Sequence, residues 1–128
     1  DPQSTRQVVA KLLEKRELAD KRITALLNFR KDRGDRTFQW LKALNSNAFP
    51  EIDEFYLAGA HTHAFLRKVK DELKSRVKIL TGENPEEITG QITSGQKEEI
   101  LLIGMVNMGG LGREMVNYWQ RVAEPYDL

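Results

Sequence analysis

The sequence predicts an all-α fold in which residues 1–128 form a single domain, an irregular bundle of four or five helices. Apolar residues recur at helical spacing along most of the chain, and no segment of useful length alternates apolar and polar residues as a half-buried strand would. Capping residues, glycines and prolines divide the chain into segments of helical length. A chain of 128 residues is long enough to bury one hydrophobic core.

The first helix is predicted to begin at Ser4, which forms a capping-box pattern with Gln7. Gly34 is a suitable end for this helix, because glycine readily adopts the left-handed conformation found just after many helices. The apolar stripe of the helix comprises Val9, Leu12, Leu13, Ala19, Ile23, Leu26 and Leu27.

A short second helix is predicted after Asp35, a favourable N-cap residue. The polar residues 45–47 and the following Pro50 indicate a loop. A third helix is expected from about Glu51 to Leu80. The apolar residues of the second helix are Phe38, Trp40, Leu41 and Leu44, and those of the third are Ile52, Phe55, Leu66, Val69, Leu73 and Val77.

The strongest local pattern lies at residues 84–87. Asn84 is an N-cap residue, Pro85 occupies the first helical position, and Glu87 supplies a carboxylate in the first turn. A short fourth helix is therefore predicted. Thr93 and Gln96 form a second capping-box pattern, which opens a last helix. The apolar stripe of that helix is Leu101, Met105, Met108, Leu111, Met115, Trp119 and Val122.

Charge is distributed unevenly along the chain. Residues 1–80 contain 17 Lys and Arg against 11 Asp and Glu, whereas residues 81–128 contain 3 against 8, although the whole chain has a net charge of only +1. The domain therefore has a basic part, 1–80, and an acidic part, 81–128. Opposite potentials of this kind can steer an anionic partner or a second copy of the same chain.

The apolar segment 100–112 contains four glycines, each of which costs helix stability. Three explanations remain open: a buried core helix with a kink, an apolar face for a partner helix or a second protomer, and a ligand pocket. Flexible methionines suit an adaptable interface. The predicted partner interface comprises Gly104, Met105, Met108, Leu111, Met115 and Trp119.

Two basic clusters lie in the first eighty residues. Basic residues interleaved with aromatic ones can bind single-stranded nucleic acid, with cations on phosphates and rings against bases. Interspersed aspartates also fit an ordinary solvated surface. The candidate residues for binding nucleic acid or another anion are Arg30, Lys31, Arg33 and Arg36 in the first cluster and Arg67, Lys70, Lys74 and Lys78 in the second.

The only histidine pair is His61 and His63. On a helix, residues two apart point in opposite directions, which prevents them from binding one metal ion together. Without cysteine, the chain has no disulfide, thiolate nucleophile or cysteine-bound metal. A metal-binding protein or helical enzyme is therefore the third hypothesis, and no cofactor is predicted.

These observations predict a non-enzymatic helical domain that mediates assembly, with a protein partner or with itself. An RNA- or DNA-binding domain is the alternative. No signal peptide is visible and the longest apolar segment is too short to span a bilayer, so we expect an intracellular, cytoplasmic protein without membrane contact. The chain begins at Asp1 rather than Met, which indicates a fragment of a longer polypeptide or a processed product.

Overall fold

The chain folds around a four-stranded parallel β-sheet. This is a computed structural model, which describes residues 2–13, 22–32, 34–94, 100–106 and 111–123. The prediction of an all-α fold, and with it that of a helical bundle, is wrong: the protein is an α/β domain. Its elements in chain order are α1 (Pro2–Leu13), β1 (Arg22–Phe29), α2 (Gly34–Asn45), β2 (Glu54–Gly59), α3 (Thr62–Lys68), a 3₁₀ helix (Asp71–Arg76), β3 (Val77–Ile79), α4 (Pro85–Thr93), β4 (Ile100–Val106) and α5 (Leu111–Val122).

The order of the strands in the sheet is β3-β2-β1-β4. Register is set by the pairing of Leu26 with Tyr56 on one side and with Gly104 on the other. At the outer edge of β2, Phe55 pairs with Val77. The strand that comes first in the chain therefore lies inside the sheet, and the strand that comes last is its neighbour.

The sheet escaped prediction because its strands are covered by helices on both faces. A strand of a doubly covered parallel sheet reads as a continuous apolar run, without the alternation that marks a half-exposed strand. Seven of the eight residues of β1 are buried, and so are five of the six in β2. Their apolar residues also fit a helical spacing, and periodicity alone could not separate the two structures.

Three predicted helices change accordingly. The predicted first helix contains α1 and the strand β1, and Ser4 lies inside α1, after its start at Pro2. The predicted third helix is a succession of β2, α3, the 3₁₀ helix and β3. The beginning of the predicted last helix is the strand β4, and only its end is the helix α5.

Two other predictions are confirmed. The second helix exists as α2, with Trp40 and Leu44 buried. The cap of α4 is the predicted one: the side-chain oxygen of Asn84 accepts a hydrogen bond of 2.9 Å from the Glu87 amide, and Pro85 occupies the first turn. This cap satisfies one of the amides that a helix start leaves without an intrahelical partner.

We call the face of the sheet that packs against α1, α2 and α3 the front face. In its core, the side chains of the strands pack against those of the covering helices. Several of the packed side chains are aromatic. The ring centroids of Phe29 and Phe65 are 5.0 Å apart, and those of Trp40 and Phe49 are 5.5 Å apart. The fully buried members include Val9, Ala25, Ile52, Phe55 and Leu57.

We call the opposite face, which packs against α4 and α5, the back face. Its core is smaller and consists of Leu26, Tyr56, Ala58, Ile88, Ile92 and Met115. The elements on the two faces are those expected of an open, doubly wound α/β fold. Such a fold presents its loops at the two ends of the strands, and those ends are where a ligand site is sought.

Candidate functional site

The topology selects the carboxyl edge of the sheet as the candidate site. From β1 the chain proceeds to β2 and β3 on one side, and it then returns to place β4 on the other side of β1. In open α/β sheets, ligands bind outside the carboxyl ends of the strands at such a reversal of strand order. Residues 107–110, which follow β4, lie outside the described residues. The described part of this edge consists of the segments after β1, β2 and β3, and the first basic cluster follows β1.

The segment after β1 brings cations to this edge. Arg30 donates two hydrogen bonds to Asp32, from Nε at 3.0 Å and from Nη2 at 2.9 Å. Lys31 and, in the first turn of α2, Arg36 are exposed. Three residues of the predicted first basic cluster thus lie at the edge; the fourth, Arg33, lies outside the described residues.

The segment after β2 has an unusual backbone. Gly59 has a φ of 91°, and a Cβ at this position would lie only 2.2 Å from the carbonyl oxygen of Phe29. Only glycine fits such a close approach. The amide of the following residue, Ala60, donates a hydrogen bond of 3.0 Å to the same carbonyl oxygen. The end of β2 is thereby fixed against the end of β1.

His61 also adopts a left-handed conformation, with φ 61° and ψ 18°. For a residue with a side chain this conformation costs about 1–3 kcal/mol, and such residues cluster at functional sites. The His61 Nε2 atom lies 3.4 Å from the carbonyl oxygen of Lys31. Because a carbonyl only accepts, this hydrogen bond forms in the tautomer that carries the proton on Nε2, and in that form His61 links the two edge segments.

The histidine pair does not form a metal site. His61 precedes α3, whereas His63 lies inside that helix, and both are exposed. The buried apolar residue of α3 is Phe65. Among the described residues, no group of three or more histidines and carboxylates could hold a metal ion.

A groove of about 290 Å³ opens beside the edge, between α2 and α3. Its most exposed apolar member is Phe38, whose exposed fraction is 66%, while Phe65 forms part of its buried floor. His61 belongs both to the groove and to the edge, so the two are continuous. The lining residues are Gly34, Thr37, Phe38, Leu41, His61, Ala64, Phe65 and Lys68.

The second basic cluster does not form the predicted row along one helix. Its members Arg67, Lys70, Lys74 and Lys78 are distributed over α3, a loop, the 3₁₀ helix and β3. The Lys74 ammonium pairs with Asp71 at 3.3 Å, and the Lys78 ammonium lies 3.7 Å from the Glu54 carboxylate. Since the helix that was to align them does not exist, no nucleic-acid surface of this kind is formed.

A buried charged network lies at the other end of the sheet, on the back face. The Glu54 carboxylate accepts hydrogen bonds from the Arg22 guanidinium and, at 2.5 Å, from the Tyr56 hydroxyl. Burial raises the pKa of Glu54, but the hydrogen bonds from Tyr56 and Arg22 outweigh it, so the pKa lies below its usual value. This network is remote from the carboxyl edge because Glu54 begins β2.

The predicted partner interface is placed on β4 and α5. Met115 is completely buried in the back-face core, and the partly buried Leu111 packs against this core. The Trp119 ring lies over Gly104, and its Nε1 donates a hydrogen bond of 2.9 Å to the Thr89 hydroxyl. Met105 belongs to β4, and Met108 lies outside the described residues. The side chain that packs against Gly104 thus belongs to the same domain.

A family comparison adds the biochemical context. Residues 1–122 match the family model described as the C-terminal domain of the poly-gamma-glutamate synthase CapB. The chain belongs to this family. The comparisons with curated proteins and with solved structures found no match.

Membership of the CapB C-terminal domain family makes the chain a domain associated with a biosynthetic enzyme. This biosynthetic role is more specific than the assembly function predicted from the sequence, and the family description does not mention nucleic acid. Within the described residues, no helix has the length and the apolar character needed to cross a membrane.

The sequence interpretation missed Gly59 and His61 at the edge and Phe38 beside it. A glycine directly after the apolar run 55–58 is typical of the junction between a buried strand and its loop. Reading residues 55–58 as a strand would have placed Gly59 and His61 at its carboxyl end. The exposed position of Phe38 had no comparable signal, because a helix with several aromatic residues does not show which of them is buried.

Proposed function

We propose that this CapB-family domain binds the carboxylates of glutamate units during poly-γ-glutamate synthesis, at the carboxyl edge of its sheet. The observation that carries the proposal is the convergence of Arg30, Lys31 and Arg36 on the edge where ligands of open α/β sheets bind. The family description supplies the polymer. The first basic cluster then has a role as an anion site.

The chemistry of the polymer fits a cationic edge. A γ-linked glutamate unit retains its α-carboxylate, so the chain carries one negative charge per unit. Guanidinium groups bind carboxylates through paired hydrogen bonds, and ammonium groups bind them as point charges. Arg30 donates two hydrogen bonds to Asp32 and keeps further guanidinium donors, and Lys31 and Arg36 are exposed nearby.

We further propose that the domain positions the substrate and that bond formation is performed by other parts of the synthase. The edge supplies cations and a fixed loop geometry, which are means of binding and orientation. The tie between His61 and the Lys31 carbonyl serves this purpose, since it holds the two loops that face the ligand in one arrangement.

The test is calorimetric binding of a short γ-linked glutamate oligomer to the isolated domain and to the variant Lys31→Glu/Arg36→Glu. We expect the variant to lose at least about tenfold in affinity, and the affinity of the parent to fall with added salt because the contacts are exposed. Lys11→Glu, on α1, is the matched control. Equal affinities of the parent and the double variant would refute the proposal.

A second function, assembly with a protein partner, is favoured by the position of β4. Among the described residues β4 is the outermost strand on its side of the sheet, and the side chains of Ile100–Ile103 are only partly buried. An apolar outer strand is a template for pairing with another chain. We therefore retain the contact through β4 and α5, with Gly104, Leu111 and Trp119, as a candidate interface.

Light scattering as a function of concentration tests this assembly. Val122 on α5 is 58% exposed, so Val122→Glu should lower the average mass if α5 takes part in self-association. Val8→Glu, on α1, is the control. A parent domain that remains monomeric at the highest concentration, and that binds no other synthase component, would exclude the interface.

A further inference from the structure

The groove between α2 and α3 has the shape of a track that leads away from the carboxyl edge. Its lining residues recur every three to four positions on α2, at Gly34, Phe38 and Leu41, and again along α3, from its N-cap His61 through Ala64 to Lys68. Residues at this spacing share one side of a helix. Both helices return from carboxyl ends of parallel strands, so they run side by side in the same direction. Seven residues of helix give the groove a length of about 10 Å.

The groove has a largely apolar lining with one lysine at its far end, and a second lysine outside the lining is exposed beside its near end. Phe38, Leu41 and Phe65 supply the apolar part, and Lys68 lies at the end remote from the edge. Lys31 is exposed at the near end, where its carbonyl oxygen binds His61. An occupant of the groove would cover the exposed ring of Phe38. The occupant should therefore carry apolar segments between negative charges.

We propose that this groove holds the poly-γ-glutamate chain itself, as a subsite that continues from the edge. This inference rests on the proposed function, because the same polymer is bound at the edge. Each γ-linked unit has an ethylene segment, which can pack on Phe38 and Leu41, followed by an α-carboxylate. The charge of the polymer is complementary to Lys68 and Lys31. An acidic protein segment has the same charge but lacks ethylene units in its backbone.

The length of the groove determines how many units it accepts. An α-linked residue spans about 3.3–3.6 Å over three backbone bonds, and a γ-linked unit has five such bonds, which gives about 6 Å for each. A groove of about 10 Å therefore holds roughly two units beyond those bound at the edge. Affinity should rise with oligomer length up to about four units and then become constant.

The experiment compares γ-linked oligomers of increasing length by calorimetry, with the full 128-residue chain. We expect a long oligomer to bind about tenfold more tightly than a dimer. The variants Phe38→Ser and Lys68→Glu should each lose most of this length-dependent gain but retain the affinity for the dimer. Val122→Ser and Lys11→Glu are the matched controls for lost apolar surface and reversed charge, and both should behave as the parent.

Poly-α-glutamate with the same number of carboxylates tests the spacing of the polymer. It has one carboxylate per three backbone bonds, and its charges are on side chains rather than beside the backbone. We expect it to gain less affinity with length than the γ-linked chain. An equal gain would show attraction to any polyanion and would overturn the match between groove and polymer.

Other outcomes separate this inference from the proposed function. Affinity that depends on Lys31 and Arg36 but not on oligomer length would overturn the groove and leave the edge site intact. No binding of any γ-linked oligomer would overturn both. If Phe38→Ser instead lowers the mass measured by light scattering, the groove is occupied by a second copy of the chain. If it weakens binding to anionic lipid vesicles but not to the polymer, the groove faces a membrane; either result refutes the proposal.

Discussion

On the front face of the sheet, β1 presents apolar side chains along its whole length, from Ile23 to Phe29. On the back face, the same strand begins with Arg22 and Thr24 before it reaches Leu26. Helices cover both faces, but the front face has the larger apolar core, whereas the back face includes the hydrogen bonds of the Glu54 carboxylate with Arg22 and Tyr56. The comparison teaches that the two faces should differ in the substitutions that they tolerate and in their dependence on pH.

The largest expected effect is on the front face. Phe55 is completely buried, so Phe55→Ala removes its packing and leaves a cavity, which should cost about 3–5 kcal/mol of unfolding free energy. Urea denaturation measures this loss. Phe38→Ala, at a phenylalanine that is 66% exposed, is the matched control and should change stability by less than about 0.5 kcal/mol. Similar losses in both variants would contradict the described burial.

On the back face, the corresponding test is Glu54→Gln. The amide cannot replace the charge that binds Arg22 and Tyr56, and we expect a loss of about 1–3 kcal/mol at pH 7. Glu51→Gln removes a carboxylate from the more exposed pair with Arg6 and should cost at most about 1 kcal/mol. A larger loss for Glu51→Gln than for Glu54→Gln would contradict the conclusion that Glu54 makes the more buried and more stabilising contacts.

The same variant distinguishes the faces by pH. The pKa of Glu54 is lower in the folded protein than its usual value of 4.5, so the stability it contributes is present above that value and is lost as the pH falls through the folded pKa. The difference between the parent and Glu54→Gln should therefore shrink below about pH 4.5. The difference between the parent and Phe55→Ala should not, because no ionisable group is removed. Urea titrations at several pH values measure both.

An effect similar in size to that of Glu54→Gln is expected at Gly104, also on the back face. A Cβ at this position would lie 2.5 Å from the Trp119 ring, and that ring is held by its hydrogen bond to Thr89. Gly104→Ala should therefore cost about 1–3 kcal/mol and change the tryptophan fluorescence. In a Trp119→Phe background the cost should decrease, since the two residues are in contact.

The control for this substitution is Gly90→Ala. No atom lies within 4 Å of a Cβ built on Gly90, which is inside α4. Alanine should stabilise the helix there by up to about 1 kcal/mol. A loss at Gly90 as large as that at Gly104 would mean that backbone conformation, and not the tryptophan ring, determines the effect.

The smallest expected effect is a gain of stability. Thr24 is completely buried on the back face, and its hydroxyl has no hydrogen-bond partner among the described residues. Thr24→Val keeps the shape and removes the unpaired polar group, which should stabilise the domain by about 1 kcal/mol. Thr89→Val, which removes the partner of Trp119, should be destabilising. Thermal denaturation compares the two, and a loss at Thr24 would reveal a partner for its hydroxyl.

The sequence predicted the structure best where that structure depends on residues close together in the chain. The cap at Asn84 needs only the amide of Glu87, three positions later, and α2 needs only its own periodicity. Strand β1 pairs with β4, which lies far away in the chain, and the apolar residues of both strands fit a helical pattern equally well. A parallel sheet is therefore the part of this fold that a local pattern predicts least.

The sequence indicated which residues could form the site, but it did not show where the fold would place them. The cluster Arg30–Arg36 is an anion-binding candidate because its basic residues are interleaved with aromatic ones in the sequence, and the fold places its described members at the carboxyl edge. The second cluster was aligned only on a helix that does not exist, so Lys78 lies in a strand beside Glu54. The contact between His61 and Lys31 joins residues thirty positions apart, and no sequence pattern could have indicated it.

The late position of β4 in the chain has a consequence for biosynthesis. Thr24 pairs with Glu54 on one side and with Leu102 on the other. One edge of β1 therefore stays unpaired until β4 has been synthesised. During that time the nascent chain exposes a strand edge and apolar surface, the features that make folding intermediates prone to aggregate. Closure of such a distant contact is also slow. A ribosome that pauses before residue 100 would therefore prolong the period in which this domain depends on chaperones.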